Sequence, residues 1–195
     1  MGAPRRLVLG STSRYRAELL GRLGLTFEQR APGTVEAKLP DEAPTARAMR
    51  LAVAKSVDAG AGLANALVIG SDQVAELDGA LLEKPGSVER ACAQLLACSG
   101  RAVSFHTALC VFDTHSGQRH TYLDLTRVHF RALHQDEINR YIEREQPLDC
   151  AGSFMCEGLG ISLFERIDSN DPTALIGLPL IALARLLREA GIAVP

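Results

Sequence analysis

Ala66-Leu67-Val68-Ile69-Gly70-Ser71-Asp72-Gln73 is the stretch on which the fold turns. Four apolar residues rich in β-branched types read as a strand covered on both faces, and Gly70 lets the backbone pass close to a neighbour. The run then gives way to a carboxylate and an amide, as though a buried strand opened onto a polar edge. Ligands of open α/β sheets bind beyond the carboxyl ends of strands, so Asp72 is placed where a metal-binding or proton-accepting carboxylate belongs. The competing reading makes Asp72 a turn residue that caps the next element.

The rest of the chain alternates helix and strand around this segment. Leu7-Val8-Leu9 is a short strand, and residues 14–23 carry Leu19, Leu20 and Leu23 at helical spacing before a stop at Gly24. After a loop with Pro32, Gly33 and Pro40, residues 45–58 read as a helix with Met49, Ala52 and Val53 on one face, started by Thr45 or Asp41. Asp78-Gly79 between two apolar runs signals a tight hairpin. Residues 87–97 carry apolar Val88, Ala91, Leu95 and Leu96 and read as a helix. Residues 101–131 form a long hairpin turning at 113–117. Residues 134–144 are helical, a glycine-rich passage leads to a strand over 161–167, and residues 179–190 form a last helix. The pattern predicts one compact α/β unit, with two lobes flanking a cleft.

Composition narrows the function. The 195 residues are 47% hydrophobic and carry a formal charge of −2, enough for one substantial core and without the basic excess of a general nucleic-acid binder. Phosphate recognition must therefore be local. Five cysteines, at 92, 98, 110, 150 and 156, lack Cys-x-x-Cys pairing and suit a reducing cytosol. Of these only Cys156 lies near a potential pocket. The five histidines lack zinc-type spacing and read as structural. Leu7-Val8-Leu9 is too short for a signal-peptide core, and the apolar stretch over 174–184 is broken by Gly177 and Pro179. A cytoplasmic protein without membrane or nucleic-acid partners is expected.

Gly10-Ser11-Thr12-Ser13-Arg14-Tyr15-Arg16 follows a strand and opens a helix, bringing free N–H groups, three hydroxyls and arginines to one helix N-terminus. Such an arrangement attracts phosphate, although it is neither a Walker loop nor a Gly-x-Gly-x-x-Gly fingerprint. An ordinary serine-capped helix with solvated arginines would have the same residues. Ser11, Ser13, Arg16, Lys55 and Lys84 supply donors and cations for a triphosphate, and Glu36 and Asp72, on separate loops, supply hard oxygens for a divalent cation. Each alone would pass for a surface charge.

Five separated motifs together resemble the Maf family of nucleotide pyrophosphatases. They are Leu-Gly-Ser-Thr-Ser-Arg-Tyr-Arg at 9–16, Ile-Gly-Ser-Asp-Gln at 69–73, Lys84-Pro85, Ala-Gly-Ser-Phe-Met-Cys-Glu-Gly at 151–158 and Ile-Gly-Leu-Pro-Leu at 176–180. The resemblance implies a single Maf/ITPase-like domain over residues 5–191 with a mixed central sheet and two lobes flanking a nucleotide cleft. Within the family the chain looks most like the YceF branch, whose members hydrolyse 7-methyl-GTP to 7-methyl-GMP and diphosphate with a divalent cation, magnesium or manganese. It implies Asp72 as proton acceptor, metal at Glu36 and Asp72, and base selection by Tyr15, Gln73 and Glu157. Tyr15 would stack on the cationic methylguanine, and Glu157 would accept from guanine N1–H and the exocyclic amine. Two departures stand out: Val35 where relatives carry a second acid, and Tyr15 where the branch has Trp. The alternatives are the sibling branch acting on dTTP, UTP or CTP and a nucleotide-binding regulator of septum formation without turnover. A homodimer is expected by analogy.

Overall fold

The computed structural model describes residues 5–195. Among these residues seven strands and five α-helices follow one another as β1 (Arg6–Leu9), α1 (Arg14–Gly21), β2 (Glu28–Gln29), α2 (Pro44–Ala59), β3 (Ala66–Leu77), β4 (Ala80–Leu82), α3 (Val88–Cys98), β5 (Ala102–Asp113), β6 (Arg119–Phe130), α4 (Gln135–Glu145), β7 (Phe164–Asp168) and α5 (Leu180–Glu189). The strands form a mixed sheet in the order β2-β1-β3-β5-β6-β7, with β4 paired to β3. The α/β class and the mixed sheet expected from the sequence are present.

The chain divides into two compact units. One comprises the chain up to Gln73, Thr107–Asp124 and everything from Asp171; the other comprises Val74–His106 and Leu125–Asn170. Strands β3, β5 and β6 each contribute residues to both.

In the first unit β1 pairs in parallel with β2 and with β3, Leu7 opposite Leu67 and Leu9 opposite Ile69. Because side chains alternate along a strand, Leu7, Leu9, Leu67 and Ile69 share one face. They pack with Leu19 and Leu20 of α1 and with Leu183, Leu186 and Leu187 of α5. Val8, Ala66 and Val68 leave the other face and meet Ala59 of α2. Fully burying each such leucine or isoleucine is worth about 1.5–3 kcal/mol, so both faces of this short parallel ladder are committed to core.

The second unit is centred on aromatic packing. Phe154 makes edge-to-face contacts with Phe105, Phe130 and Phe164 at centroid separations of 5.3, 5.6 and 4.8 Å. The β3–β4 hairpin pairs Leu77 with Ala80 around Asp78 and Gly79, both at positive φ, as the tight-hairpin signature requires.

Several sequence expectations are corrected. The Asp72 strand does not end at Gly70: β3 runs for twelve residues from Ala66 to Leu77, so Asp72 and Gln73 lie within a strand rather than on a loop or at a strand end. Gly70 does serve the close approach expected of it. A Cβ there would overlap the carbonyl oxygen of Ala52 and stand 2.6 Å from Ser56 N, both on α2. Helix α2 begins at Pro44 after Ala43, without a side-chain cap, because proline at the first position has no N–H to satisfy; Asp41 sits in the preceding turn at positive φ. On α3 only Ala91, Leu95 and Cys98 are buried, whereas Val88 and Leu96 are exposed. The strand expected over 161–167 is shorter, since residues 159–163 form a 3₁₀ turn and β7 starts at Phe164.

Candidate active site

Strand alternation decides which residues around Asp72 can meet. Gly70 and Asp72 project toward α2, while Ser71 and Gln73 project toward the segment at 174–177. Asp72 and Gln73 therefore do not share a face. They are consecutive in sequence and serve opposite faces of one strand.

On the α2 face, Lys55 Nζ donates to Asp72 Oδ1 at 2.6 Å, and both residues are buried. The same ammonium lies 2.6 Å from Glu36 Oε1. Lys55 reaches both acids because it sits on α2 between Ala52 and Ser56, the turn that Gly70 admits against β3. Glu36 is exposed and comes from an irregular loop, yet that loop is fastened to α2. Arg47 donates to the Glu36 carbonyl, Arg50 donates to the Ala37 carbonyl, and Arg50 is paired with Glu42. Val35, where relatives carry a second acid, is exposed to solvent.

Burial pushes the Asp72 carboxyl up from its ordinary value. The charge and hydrogen bond of Lys55, together with the charge of Arg16, pull it back only in part. Burial lowers Arg16, and the nearby charges of Asp72 and Glu36 oppose that shift. Two acids and two cations of the first unit thus share one electrostatic environment.

The phosphate-binding expectation falls on the start of α1. Ser13 caps the helix by accepting from Arg16 N, and Ser11 Oγ accepts from Ser13 N, which fixes the turn entering the helix. Arg16 Nε donates to the Gly177 carbonyl at 2.9 Å, so one edge of its guanidinium is anchored. The Ser71 hydroxyl reaches the same carbonyl at 2.8 Å. Tyr15 is half-buried, and its ring lies beneath the Arg14 guanidinium at 4.7 Å while its hydroxyl accepts from Arg14 Nη2 at 2.8 Å.

Gln73 is held by its amide nitrogen. Nε2 donates toward the carbonyls of Ala174 and Leu175, each at 3.0 Å, and to Thr107 Oγ1 at 2.9 Å. Thr107 in turn donates to the Ala174 carbonyl at 3.0 Å. These acceptors fix the amide orientation, and Oε1 is left as an acceptor without a protein donor among the described residues.

Lys84 and Glu157 belong to the second unit, and both are exposed. The first unit thus brings together Asp72, Lys55, Glu36 and Arg16, with Ser11, Ser13, Tyr15 and Gln73 on neighbouring segments. Glu157 Oε2 lies 3.3 Å from the Cys156 thiol. Burial, reinforced by that carboxylate, pushes Cys156 up to about 12. A thiol so hard to ionise is a poor nucleophile. His106 and His129, each beside a carboxylate (Glu76 and Asp168), also fit the structural reading.

A divalent cation finds a sparse donor set. Among the described residues no group of three or more His, Cys, Asp and Glu is placed to hold a metal. Glu36 and Asp72 are nevertheless brought together by their shared lysine. Two carboxylates with waters and substrate phosphates suit magnesium, which keeps several non-protein oxygens, so the residues fit an open site completed by a phosphorylated ligand.

Gly177, part of the motif at 176–180, holds this site in place together with Thr107, Asp171 and Thr173, which did not stand out in the sequence. Asp171-Pro172-Thr173 just before a helix is a recognisable turn-and-cap pattern; what it supports emerges only from the folded chain. Among the described residues no helix is long and apolar enough to cross a membrane.

Comparison with known proteins gives a match to the sequence model described as Maf-like protein over residues 6–190. A relative from Xanthomonas axonopodis pv. citri (strain 306), named 7-methyl-GTP pyrophosphatase, is 57% identical over 190 residues, covering 97% of this chain and 99% of its own. A Xanthomonas oryzae pv. oryzae (strain MAFF 311018) protein of the same name has the same identity and coverage. A protein so named from Burkholderia pseudomallei (strain 1710b) is 53% identical over 97% of this chain and 89% of its own.

Proposed function

The chain belongs to the Maf family, and from that premise we propose that it is a nucleoside triphosphate pyrophosphatase that hydrolyses 7-methyl-GTP to 7-methyl-GMP and diphosphate, removing a modified nucleotide from the pool. The geometry that carries the reading is a buried carboxylate, Asp72, gripped on one oxygen by Lys55 beside Glu36 and influenced by the charge of Arg16. The choice of substrate follows the activity in the names of relatives that match almost end to end.

In this mechanism Asp72 accepts a proton from the attacking water. Its burial raises its proton affinity, making it a better base than an exposed aspartate, and with Lys55 bonded to Oδ1 the proton would go to Oδ2. The water oxygen bonds to the α-phosphorus as the bond from that phosphorus to the bridging oxygen breaks in line, and diphosphate leaves. A magnesium or manganese ion held by Glu36 and Asp72 would supply charge neutralisation and a more acidic water. Arg16, with Nε anchored on Gly177, offers its remaining N–H groups to phosphate oxygens, joined by the hydroxyls of Ser11 and Ser13 and the first N–H groups of α1. Lys84 is assigned to phosphate and Glu157 to the guanine edge from the family resemblance. Gln73 Oε1 and the Tyr15 ring complete the base contacts.

Diphosphate release from 7-methyl-GTP, GTP, dTTP, UTP and CTP with magnesium or manganese tests the reading. Fastest turnover of 7-methyl-GTP is expected. A preference for dTTP, UTP or CTP would place the chain with the sibling branch, and no diphosphate from any of them would overturn the enzyme reading.

A further inference from the structure

Asp171 is 2% exposed, and an isolated carboxylate buried to that degree is costly. Its partners show how the cost is offset. Oδ1 accepts from Thr173 N at 3.0 Å and from Thr173 Oγ1 at 2.6 Å, and Oδ2 accepts from Ile181 N at 2.7 Å. Thr173 Oγ1 then accepts from Leu180 N at 2.8 Å. Leu180 and Ile181 open α5, whose N-cap Pro179 provides no side-chain cap. Asp171 and Thr173 therefore cap this helix from a distance and fold the intervening chain into a closed loop. Backbone bonds from Ala174 N to Asp171 O, Ile176 N to Thr173 O and Gly177 N to Ala174 O tighten it further.

The carbonyls of this loop are aimed at the site. Those of Ala174 and Leu175 take the Gln73 amide, and that of Gly177 takes Arg16 Nε and the Ser71 hydroxyl. Gly177 makes its contact at φ +120°, and a Cβ there would stand 3.4 Å from Arg16 Nε. A helix cap alone would not require three carbonyls of the loop to be presented to side chains of α1 and β3. We propose that Asp171 and Thr173 are positioning residues that act through the carbonyls of Ala174, Leu175 and Gly177 to hold Arg16 toward phosphate and to keep Gln73 an acceptor-only reader of the base. The proposal rests on the roles given to Arg16 and Gln73 above. Its consequence for selectivity is chemical: a base edge that presents a donor to Gln73 Oε1 is favoured, and one that presents an acceptor is repelled.

The test uses Asp171→Asn, Thr173→Val and Thr173→Ser in the full chain. An asparagine cannot accept on both oxygen positions, so it places a donor against Thr173 or Ile181 and loosens the loop. Asp171→Asn and Thr173→Val are expected to lower kcat/KM for 7-methyl-GTP on the order of tenfold to a hundredfold and to narrow its preference over CTP, whose ring N3 is an acceptor where guanine N1–H is a donor. Thr173→Ser, which keeps the hydroxyl, should restore both. A second readout does not depend on turnover. The Gln73 side-chain amide protons, identified by their loss in Gln73→Leu, should exchange slowly in the wild type and rapidly in Thr173→Val. If Asp171→Asn fails to fold, the Thr173 pair carries the test. Folded variants with wild-type selectivity and unchanged amide exchange would overturn the proposal. A wild type that releases no diphosphate while amide exchange behaves as expected would overturn the activity and leave the positioning intact.

Discussion

Lys55 Nζ and Asp72 Oδ1 lie 2.6 Å apart with both side chains less than a tenth exposed. Lysine and aspartate rarely occupy such a place without partners, and here each is the other's partner. The carboxyl still holds its proton more tightly than an ordinary aspartate, because desolvation exceeds the pull of Lys55 and Arg16.

That balance predicts a conflict between activity and stability at Asp72. A carboxyl whose native pKa is raised favours folding below its unfolded value, near 3.9, and that contribution is lost as pH rises through the higher native value. At neutral pH the ionised Asp72 is a net cost. Asp72→Asn should therefore raise Tm in metal-free buffer, while turnover falls roughly 100- to 10,000-fold. Thermal melts and diphosphate release check the two halves; a lower Tm would mean that the pair with Lys55 is net stabilising.

Gly70→Ala should damage both fold and site. The added Cβ would overlap the Ala52 carbonyl and crowd Ser56 on α2, forcing away the helix that carries Lys55. Overpacking of this kind costs about 1–3 kcal/mol. Urea titration should show that loss, and turnover should fall with it because Lys55 leaves Asp72.

Acid should weaken the first unit through Asp113. Its burial alone would push the carboxyl up, but Arg5, the Ser116 hydroxyl and the His115 N–H outweigh that and hold it well below the usual range. A depressed native pKa contributes stability above the unfolded value, and this is lost as pH falls through the native one. Asp113→Asn should be less stable than wild type at pH 6, with the gap closing below about pH 4. Melts across that range would expose a gap independent of pH, which would exclude Asp113 as the cause.

Cys156 should prove dispensable for chemistry. With its thiol pushed up to about 12, almost none is ionised at neutral pH. Cys156→Ser should keep turnover within about twofold, and an alkylating reagent at pH 7.5 should leave Cys156 unlabelled, as mass spectrometry would reveal. Rapid labelling at this position would reverse the assignment.

Much of the fold was already legible in local sequence. Alternation and helical spacing located the first strand, the long hairpin and the last helix, because those elements bury one stripe of apolar side chains whatever surrounds them. Asp78-Gly79 marked its hairpin because the required backbone angles suit few other pairs. By contrast, Gly70 and the polar residues after it looked like the end of β3. A strand interrupted by glycine and a carboxylate continues only where another element covers the glycine and a cation meets the acid. Those partners, Ala52, Ser56 and Lys55, lie a full element earlier in the chain.

The sequence by itself determined the α/β class, the inventory of acids, cations and hydroxyls, and the family, since composition, periodicity and ordered motifs are properties of the chain alone. Tertiary structure decided which of those residues meet. It set Asp72 toward Lys55 and Gln73 toward the carbonyls of Ala174 and Leu175, and it gave the buried Asp171 its partner in Thr173. The physical reason is that a side chain's proton affinity and its free donor or acceptor are set by desolvation and by neighbours a few ångströms away. Those neighbours come from residues more than a hundred positions distant in the chain.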